Sequence, residues 1–277
     1  MGFIDKLRSR WQGADSLVCV GLDPDPAKFP DAFVDNMSED IGDALFAFCR
    51  DIADATAEYA CAFKPQVAYF AAHNGGEAAL QRLIAHISGA HPDVPVILDA
   101  KRGDIGSTAE QYAVEAFDRF GADAVTLNPY MGCDSAAPFL ARNERGCVFL
   151  CHTSNPGARD FQELLVDGEP LYQRIARTIA SEWNADGNCA LVVGATFPEE
   201  LKVIRGLVGD MPLLIPGIGA QGGDVEATVR NGKNADGSGL VINSSRGILY
   251  ASRGADYADA AAQAAKALRD EINLYRR

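Results

Sequence analysis

One stretch of the chain joins a predicted buried strand to a predicted helix through charged residues: Val96-Ile-Leu-Asp-Ala-Lys-Arg-Gly-Asp-Ile-Gly-Ser-Thr-Ala-Glu-Gln-Tyr-Ala113. Residues 96–98 are all apolar, which is typical of a strand buried on both faces of a parallel sheet. Asp99 and Lys101 lie two residues apart, and residues at that spacing point to the same face of a strand. The S-x-x-E pattern at 107–110 is that of a capping box and predicts the beginning of a helix. We therefore interpret the stretch as a strand–helix unit with charges at its junction.

The junction contains Asp99, Lys101 and Asp104, an acid, a base and a second acid, with Arg102 between the last two. Taken singly, each has an ordinary explanation: Asp99 and Lys101 as a salt bridge at a strand end, and Asp104 as a turn residue. An isolated buried charge costs several kcal/mol, so a cluster of charges persists only where its members pair with each other or with a ligand. Because parallel-sheet folds bind ligands at the carboxyl ends of their strands, the cluster as a whole indicates a functional site.

Short apolar runs alternate with helical patterns along the whole chain. Seven further runs resemble the one at 96–98, and they lie at 16–22, 60–64, 122–128, 146–151, 189–194, 212–216 and 239–243. Helical patterns lie between and after them, the clearest at 38–59, 77–88, 171–183 and 257–275. Eight strand–helix units predict an α/β protein with the (β/α)8 TIM-barrel fold, forming one domain over residues 1–277.

Composition and charge argue against several classes of partner. The formal net charge is −13, which disfavours nucleic acid and anionic membranes as partners. No apolar run approaches the length of a membrane span, and the first residues do not resemble a secretory signal. The seven cysteines are scattered without C-x-x-C spacing, and the four histidines form no H-x-x-H pattern. We therefore expect a cytoplasmic protein with reduced thiols and no histidine-bound metal.

Charged residues end three of the predicted strands. Asp23 follows the first, Lys64 ends the second, and Asp99 and Lys101 end the third, with Asp104 shortly after. Lys64 alone could be an ordinary strand-end lysine, and Asp23, beside two prolines, could be a turn former. In a barrel these strand ends share one rim, so we expect the five side chains to form a reactive site.

Glycines and hydrogen-bond donors follow the last two strands. Barrels frequently bind phosphate at these loops through backbone N–H groups, and glycine allows the close approach. Gln221 and Arg246 could add side-chain donors to a phosphate. The candidate glycines are Gly217, Gly219, Gly222, Gly223 and Gly247. The run is neither a P-loop nor a dinucleotide fingerprint.

These motifs resemble one known family. The run D-A-K-R-G-D-I-G-S-T-A closely resembles the D-x-K-x-x-D-I-x-x-T signature of the orotidine 5′-phosphate decarboxylase family, and its longer form resembles the second bacterial subfamily (type 2). The resemblance extends over nearly the whole chain, through G-L-D-P, F-K-P-Q, S-N-P-G, P-G-I-G-A-Q-G-G and N-S-S-R-G. It implies decarboxylation of orotidine 5′-monophosphate to uridine 5′-monophosphate in pyrimidine biosynthesis, without metal or organic cofactor.

The resemblance also implies residue roles. The alternating lysine–aspartate array falls on Lys64, Asp99, Lys101 and Asp104, with Lys101 donating a proton to C6 of the pyrimidine and Asp99 facing the substrate carboxylate. It assigns Asp23 and Lys64 to the ribose, and Gln221 and Arg246 to the phosphate. It assigns Ser154 to the base edge, for which Thr153, Asn155 and Asn128 are nearby alternatives. Asp104 and Thr108 would reach into a neighbouring subunit's site, which implies a homodimer with shared active sites.

The residue chemistry agrees with this activity. Loss of CO2 from C6 leaves a negative charge that the pyrimidine π-system absorbs poorly, so the site must stabilise or protonate that carbon. A lysine between two aspartates is expected to stay protonated, since opposite charges nearby favour the charged form. Such pre-set charges are usually the largest catalytic contribution.

Two other functions also fit part of this pattern. The first is a related sugar-phosphate barrel, such as a keto-gulonate phosphate decarboxylase or hexulose phosphate synthase, in which similar acidic residues surround Mg²⁺; Lys64 and the complete K-R-G-D-I run argue against it. The second is a non-catalytic binder of phosphate ligands on a decayed barrel. The intact charged array argues against decay, because unused buried charge is costly.

Overall fold

The structure is a computed structural model that describes residues 1–218 and 223–277. Its main sheet contains eight parallel strands in the spatial order β2-β1-β8-β7-β6-β5-β4-β3, and bridges from Phe63 to Val96 and from Gln66 to Asp99 join β2 to β3. The sheet therefore closes into a barrel, and the predicted (β/α)8 fold is confirmed. The strands are β1 (Val18–Leu22), β2 (Ala62–Pro65), β3 (Ile97–Arg102), β4 (Ala124–Leu127), β5 (Gly146–His152), β6 (Cys189–Val193), β7 (Leu213–Ile215) and β8 (Leu240–Ser244).

Helices surround this barrel. The longer ones are α1 (Phe3–Gly13), α2 (Ile41–Thr56), α3 (Gly76–Ala90), α4 (Gly106–Ala113), α5 (Cys133–Leu140), α6 (Leu171–Thr178), α7 (Pro198–Val208), α8 (Val225–Gly232) and α9 (Tyr257–Arg276). Short α-helical segments lie at Asp31–Val34, Val67–Ala71 and Arg246–Leu249, and 3-10 turns at Pro26–Lys28, Pro129–Met131 and Pro156–Asp160. A π-helical turn extends α4 over Val114–Arg119 and another extends α6 over Ile179–Trp183, and a two-stranded hairpin (Leu165–Val166 with Glu169–Pro170) precedes α6.

The beginning of α4 differs from the capping-box prediction. The helix begins at Gly106, its N-cap residue is Ile105, and no side chain caps it. Gly106 has φ +54°, a left-handed conformation that glycine adopts at little cost. Because the chain enters the helix through this glycine, Ser107 already lies inside the first turn, where its hydroxyl cannot serve as the N-cap acceptor.

Helix α1 covers the amino-terminal end of the barrel. Phe3, Leu7 and Trp11 are buried there, at helical spacing along one face. A Cβ at Gly146 would overlap the ring of Phe3, so the absence of a side chain at the start of β5 makes room for that ring. Burial of each such apolar side chain stabilises the fold by roughly 1.5–3 kcal/mol. Side chains of α1 thus fill the amino-terminal end of the barrel, and the carboxyl ends of the strands remain open to a ligand.

Among the residues that the structure describes, no helix is both long enough and apolar enough to cross a membrane. All seven cysteines are free thiols, and six of them are buried.

Candidate active site

A cleft opens at the carboxyl rim of the barrel. It consists of two adjoining cavities of about 280 Å³ and about 390 Å³. Lys64, Asp99 and Pro216 line both cavities, so they lie where the two meet. Two of the predicted charged residues, Lys64 and Asp99, are therefore at the middle of the cleft.

Three of the predicted side chains form one ionic array. Nζ of Lys64, from β2, donates to Oδ2 of Asp99 at 2.8 Å, and Nζ of Lys101 donates to Oδ1 of the same carboxylate at 2.6 Å. The side chains of Lys64 and Asp99 are only 6% and 8% exposed, whereas that of Lys101 is 47% exposed. A buried carboxylate thus holds one buried ammonium in place and orients a second, accessible ammonium toward the cleft.

Lys101 is held in an unusual backbone conformation. Its φ is +47°, which is rare for a residue with a side chain and costs on the order of 1–3 kcal/mol. Thr126 of β4 stabilises this turn, because its Oγ1 accepts from the backbone N–H groups of Ala100 and Lys101 at 3.0 and 2.9 Å. The same hydroxyl donates to Oδ1 of Asp99 at 2.9 Å. One buried threonine therefore fixes both the backbone and the carboxylate of the array.

Lys64 and Asp99 are both ionised at neutral pH. Burial by itself would raise the pKa of Asp99 and lower that of Lys64, since it disfavours both ions. The attraction of the two lysines outweighs burial at Asp99 and holds its pKa well below the usual range. Asp99 and Asp23 likewise raise the pKa of Lys64 above its ordinary value. The fold therefore maintains a fixed ion cluster that a ligand meets already ionised.

The smaller cavity has the polar lining expected for a sugar phosphate. Asp23, Asn243, Ser245 and Arg246 line it, and the buried Oδ1 of Asp23 has no hydrogen-bond partner among the described residues. A Cβ at Gly21 would overlap the Ser245 hydroxyl and lie 2.9 Å from Oδ1 of Asn243, so glycine is required for these side chains to approach β1. The cavity thus offers the carboxylate of Asp23 as an acceptor near Lys64 and the guanidinium of Arg246 as a donor.

Gly217 also lines the smaller cavity. Its φ is +103°, in the region that favours glycine, and its carbonyl accepts from the backbone N–H of Gly223 at 3.2 Å. Gly247 follows Arg246 in the short helix after β8. The predicted phosphate ligands Gly219, Gln221 and Gly222 lie outside the described residues.

The larger cavity combines an apolar wall with a polar edge. Leu150, Val192 and Leu214 contribute the wall, and the polar edge consists of Thr126, Thr153, Ser154, Asn155 and Gln162. A Cβ at Gly194 would lie 2.8 Å from the backbone nitrogen of Ser154, so the loop after β5 can pack against β6 only because this residue is glycine. The cavity has the size and polarity to hold a planar heterocycle with hydrogen bonds at one edge.

Asp104 and Thr108 are not brought into this cleft. Neither lines the two cavities; Oδ1 of Asp104 accepts from the backbone N–H of Ile105 at 2.8 Å, and Thr108 is exposed on α4. The fourth member of the predicted array therefore does not join the other three within one chain.

Several cleft residues were not singled out from the sequence. They are Gln66, Tyr69, Thr126, Gln162, Asn243 and Ser245. The motifs F-K-P-Q and N-S-S-R-G contain Gln66, Asn243 and Ser245, so reading each motif residue by residue would have found these three. Thr126 and Gln162 carry no local signal, since their roles arise from contacts with distant parts of the chain.

Comparison with known proteins agrees with the geometry. The sequence model of the orotidine 5′-phosphate decarboxylase / HUMPS family matches residues 16–263. The orotidine 5′-phosphate decarboxylase of Azoarcus sp. (strain BH72) is 62% identical over 276 residues, with 100% of both chains covered. Leishmania donovani OMP decarboxylase superposes with a TM-score of 0.85 at 39% identity, covering 100% of this chain and 99% of that one. Leishmania donovani UMP synthase gives a TM-score of 0.86 at 41% identity, and this chain spans 57% of its length. The chain therefore belongs to the orotidine 5′-phosphate decarboxylase / HUMPS family.

Proposed function

We propose that the protein decarboxylates orotidine 5′-monophosphate to uridine 5′-monophosphate and CO2 in pyrimidine biosynthesis. The observation that carries this proposal is the Lys64–Asp99–Lys101 array at the junction of the two cavities. One cavity suits a pyrimidine and the other a ribose phosphate, so C6 of a bound nucleotide would lie beside the array. The family shared with this chain, and the decarboxylase name of its 62% identical relative, support the same reaction.

Lys101 is the proposed proton donor. When the bond from C6 to the carboxylate breaks, its electron pair remains on C6 and CO2 departs. The Lys101 ammonium stabilises this charge and transfers a proton to C6, after which the amine regains a proton from water. Its hydrogen bond to Asp99 restricts the position of Nζ, so little reorganisation is needed when the charge develops.

Asp99 is proposed to face the substrate carboxylate. The low pKa of Asp99 keeps it ionised, and three donors, from Lys64, Lys101 and Thr126, prevent it from turning away. Repulsion between the two carboxylates is relieved when neutral CO2 leaves, which favours the reaction. The two ammonium groups compensate the carboxylates, so the substrate can still bind.

Binding groups at the cleft ends hold the nucleotide. We assign Asp23 and Lys64 to the ribose hydroxyls, and Arg246 with Gln221 to the phosphate, assisted by the backbone at Gly217, Gly219, Gly222 and Gly247. Ser154 is assigned to the base edge. Because the net charge of −13 repels an anionic substrate at long range, the guanidinium of Arg246 must provide local attraction. Binding energy from the remote phosphate can then be used at the reacting carbon.

The position of Asp104 and Thr108 supports a homodimer with shared sites. Both lie outside the cleft of their own chain. Ile105, next to Asp104, is an exposed apolar side chain, and the exposed Met131, which follows the exposed Tyr130, lies 3.9 Å from the position of a Cβ at Gly103. An apolar surface of this kind suits contact with a second copy of the chain. In the proposed dimer, Asp104 completes the partner's array beside Lys101, and Thr108 contacts the partner's substrate.

Sharing of sites can be tested by mixing two inactive variants. Asp99→Ala removes the carboxylate that each chain contributes to its own site, and Asp104→Ala removes the one proposed to act across the interface. A mixed dimer would contain one site free of both substitutions, so activity should return on mixing. Absence of recovery, although subunit exchange is demonstrated with labelled chains, would contradict the shared-site proposal.

The remaining proposals concern surroundings and cofactors. Seven free thiols suit a reducing compartment, and we propose that the protein is cytoplasmic. The array supplies both the cation and the acid that the reaction needs, so we propose that turnover requires no metal and no organic cofactor.

The proposed reaction is tested by following the ultraviolet absorbance of orotidine 5′-monophosphate mixed with purified protein in the presence of EDTA. Rapid conversion to uridine 5′-monophosphate is expected, at an unchanged rate after added Mg²⁺. Folded protein that leaves the nucleotide unchanged, yet acts on a sugar phosphate when Mg²⁺ is added, would instead identify a sugar-phosphate enzyme. Nucleotide binding without turnover would indicate a non-catalytic binder.

A further inference from the structure

Two histidines and an aspartate converge on the outside of the barrel, away from the cleft. Asp54 lies near the end of α2, His86 lies on α3, and His91 is the C-cap residue of α3. Nε2 of each histidine lies 2.8 Å from Oδ1 of Asp54. The ligand atoms of the three residues all lie within 4.8 Å of one another.

The three groups are held in place by their surroundings. The ring of His86 packs edge-on against Phe46, with centroids 6.3 Å apart, and against His91, with centroids 6.4 Å apart. The backbone N–H of His91 donates to the carbonyl of Ile87 at 2.8 Å, which fixes this residue at the helix end. Both imidazoles are half-buried, whereas Asp54 is exposed and can adjust its side chain. The cluster is therefore largely formed before any ion binds.

We propose that Asp54, His86 and His91 bind a divalent transition-metal ion of the zinc type. Two imidazole nitrogens and one carboxylate oxygen are a ligand set that Zn²⁺ accepts, with a fourth position left for water. Zinc–ligand bonds of about 2.0–2.1 Å in a tetrahedron separate the ligand atoms by about 3.3 Å. Each Nε2–Oδ1 distance of 2.8 Å would thus lengthen by about half an ångström, which rotation of the exposed Asp54 side chain allows. The two imidazole nitrogens, which lie within 4.8 Å of each other, would also move to that tetrahedral separation.

The ion would connect two helices without entering the catalytic chemistry. Asp54 and His91 lie near the carboxyl ends of α2 and α3, which is the amino-terminal end of the barrel strands. In this fold the catalytic rim is at the other end, and features of this face act on stability. A bound ion would link α2 to α3 and stabilise the folded state by an amount that rises with the logarithm of the ion concentration above its Kd. The acidic chain also favours accumulation of cations near its surface.

Titration of the chelator-treated full-length protein with Zn²⁺ tests the proposal. Calorimetry of the wild type should show one tight site per chain, and at 100-fold excess over the Kd the Tm should rise by roughly 5 °C or more. His86→Gln and His91→Gln should each weaken binding by at least about 100-fold and abolish the rise in Tm. His73→Gln, which changes a histidine outside the cluster, should bind like the wild type. Turnover of orotidine 5′-monophosphate shows that each variant is folded and should not depend on zinc.

Co²⁺ distinguishes this cluster from a thiol site. Binding to the cluster should give visible bands of nitrogen and oxygen ligation without a thiolate charge-transfer band, and Cys133→Ser, which removes the exposed thiol, should leave them unchanged. The proposal would be overturned if zinc still bound tightly to both His86→Gln and His91→Gln, or if the wild type bound zinc no more tightly than His91→Gln. It would also be overturned if Co²⁺ gave a thiolate charge-transfer band that disappeared in Cys133→Ser. If His91→Gln failed to fold, Asp54→Asn would provide the same comparison.

Discussion

Replacing Thr126 by valine tests how the array is held. Valine keeps the β-branched shape and volume of threonine but lacks the hydroxyl. The substitution removes the hydrogen bond to Asp99 and leaves the backbone N–H groups of Ala100 and Lys101 without their acceptor. The positive φ of Lys101 then loses its support from β4.

The expected effect follows from these three hydrogen bonds. A lost hydrogen bond to a buried carboxylate costs about 1.5–3 kcal/mol, and the two partly buried N–H groups add about 1 kcal/mol between them. We therefore expect Thr126→Val to lower the free energy of unfolding by roughly 2.5–4 kcal/mol. If Nζ of Lys101 is displaced by about 1 Å, kcat falls by about 100-fold. KM should change much less, because the phosphate contacts are untouched.

Thr228→Val is the matched control, because it removes a buried threonine hydroxyl that makes no hydrogen bond among the described residues. Thr228 on α8 is also buried, and its Oγ1 has no hydrogen-bond partner among the described residues. Thr228→Val should therefore leave the stability and kcat unchanged or raise the stability slightly. Urea unfolding and steady-state turnover of both variants provide the comparison. If Thr126→Val matched Thr228→Val within about 0.5 kcal/mol and within threefold in kcat, Thr126 would not fix the array.

Three further predictions concern buried ionisation and packing. Asp99→Asn leaves Lys64 buried without its partner, so urea unfolding at pH 7 should show a loss of about 3–5 kcal/mol. The pKa of Asp99 is lower in the folded protein than in the unfolded chain, where it is about 3.9. Its contribution to stability is therefore complete above about pH 3.9 and is lost as the pH falls toward the folded-state pKa. The difference in free energy of unfolding between the wild type and Asp99→Asn should shrink accordingly in acid. His152 is buried, and burial lowers its pKa. Below a pH of about 6.5, this histidine therefore binds a proton more readily in the unfolded chain than in the folded protein. The wild type should thus lose stability more steeply than His152→Gln as the pH falls below about 6.5 in the same unfolding assay, and parallel slopes would contradict this. Gly21→Ala forces the Ser245 and Asn243 side chains away from β1 at the wall of the smaller cavity, so Tm should fall by a few degrees and KM should rise about tenfold. An unchanged KM would show that the shape of this wall does not affect substrate binding.

The barrel was predictable because its signal is local. Each strand is a short apolar run, and each ends in polar residues or glycine before a helical pattern. The predicted helix at 171–183 agrees with α6 and its π-helical extension, and the last predicted helix, 257–275, agrees with α9 to within one residue. The boundary at Ser107 was wrong because the sequence pattern does not reveal the left-handed φ of Gly106.

The assembly of the cleft was only partly predictable. Charged residues at strand ends must share a rim in a barrel, so the meeting of Lys64, Asp99 and Lys101 followed from topology. Thr126 could not be found in this way, because an ordinary strand threonine acquires its role through contacts with residues 25–27 positions away.

The histidine cluster was also hidden from the sequence. His86 and His91 are five residues apart, a spacing that does not match neighbouring positions on one helix face. They meet only because His91 leaves the helix at its C-cap, with φ −131° and ψ 60°. Asp54, the third member, belongs to a different helix. No local motif could have indicated this arrangement.

The role of Lys101 is the central claim, and it is tested most directly by the turnover of Lys101→Ala, measured together with its affinity for uridine 5′-monophosphate. Removing the ammonium should lower kcat by at least about 1000-fold, since both proton transfer and charge stabilisation are lost. Product affinity, measured by calorimetry, should stay within about tenfold, because the groups assigned to the phosphate and the base are unchanged. Turnover close to that of the wild type, in a variant that binds the product normally, would contradict the assignment of Lys101 as the proton donor.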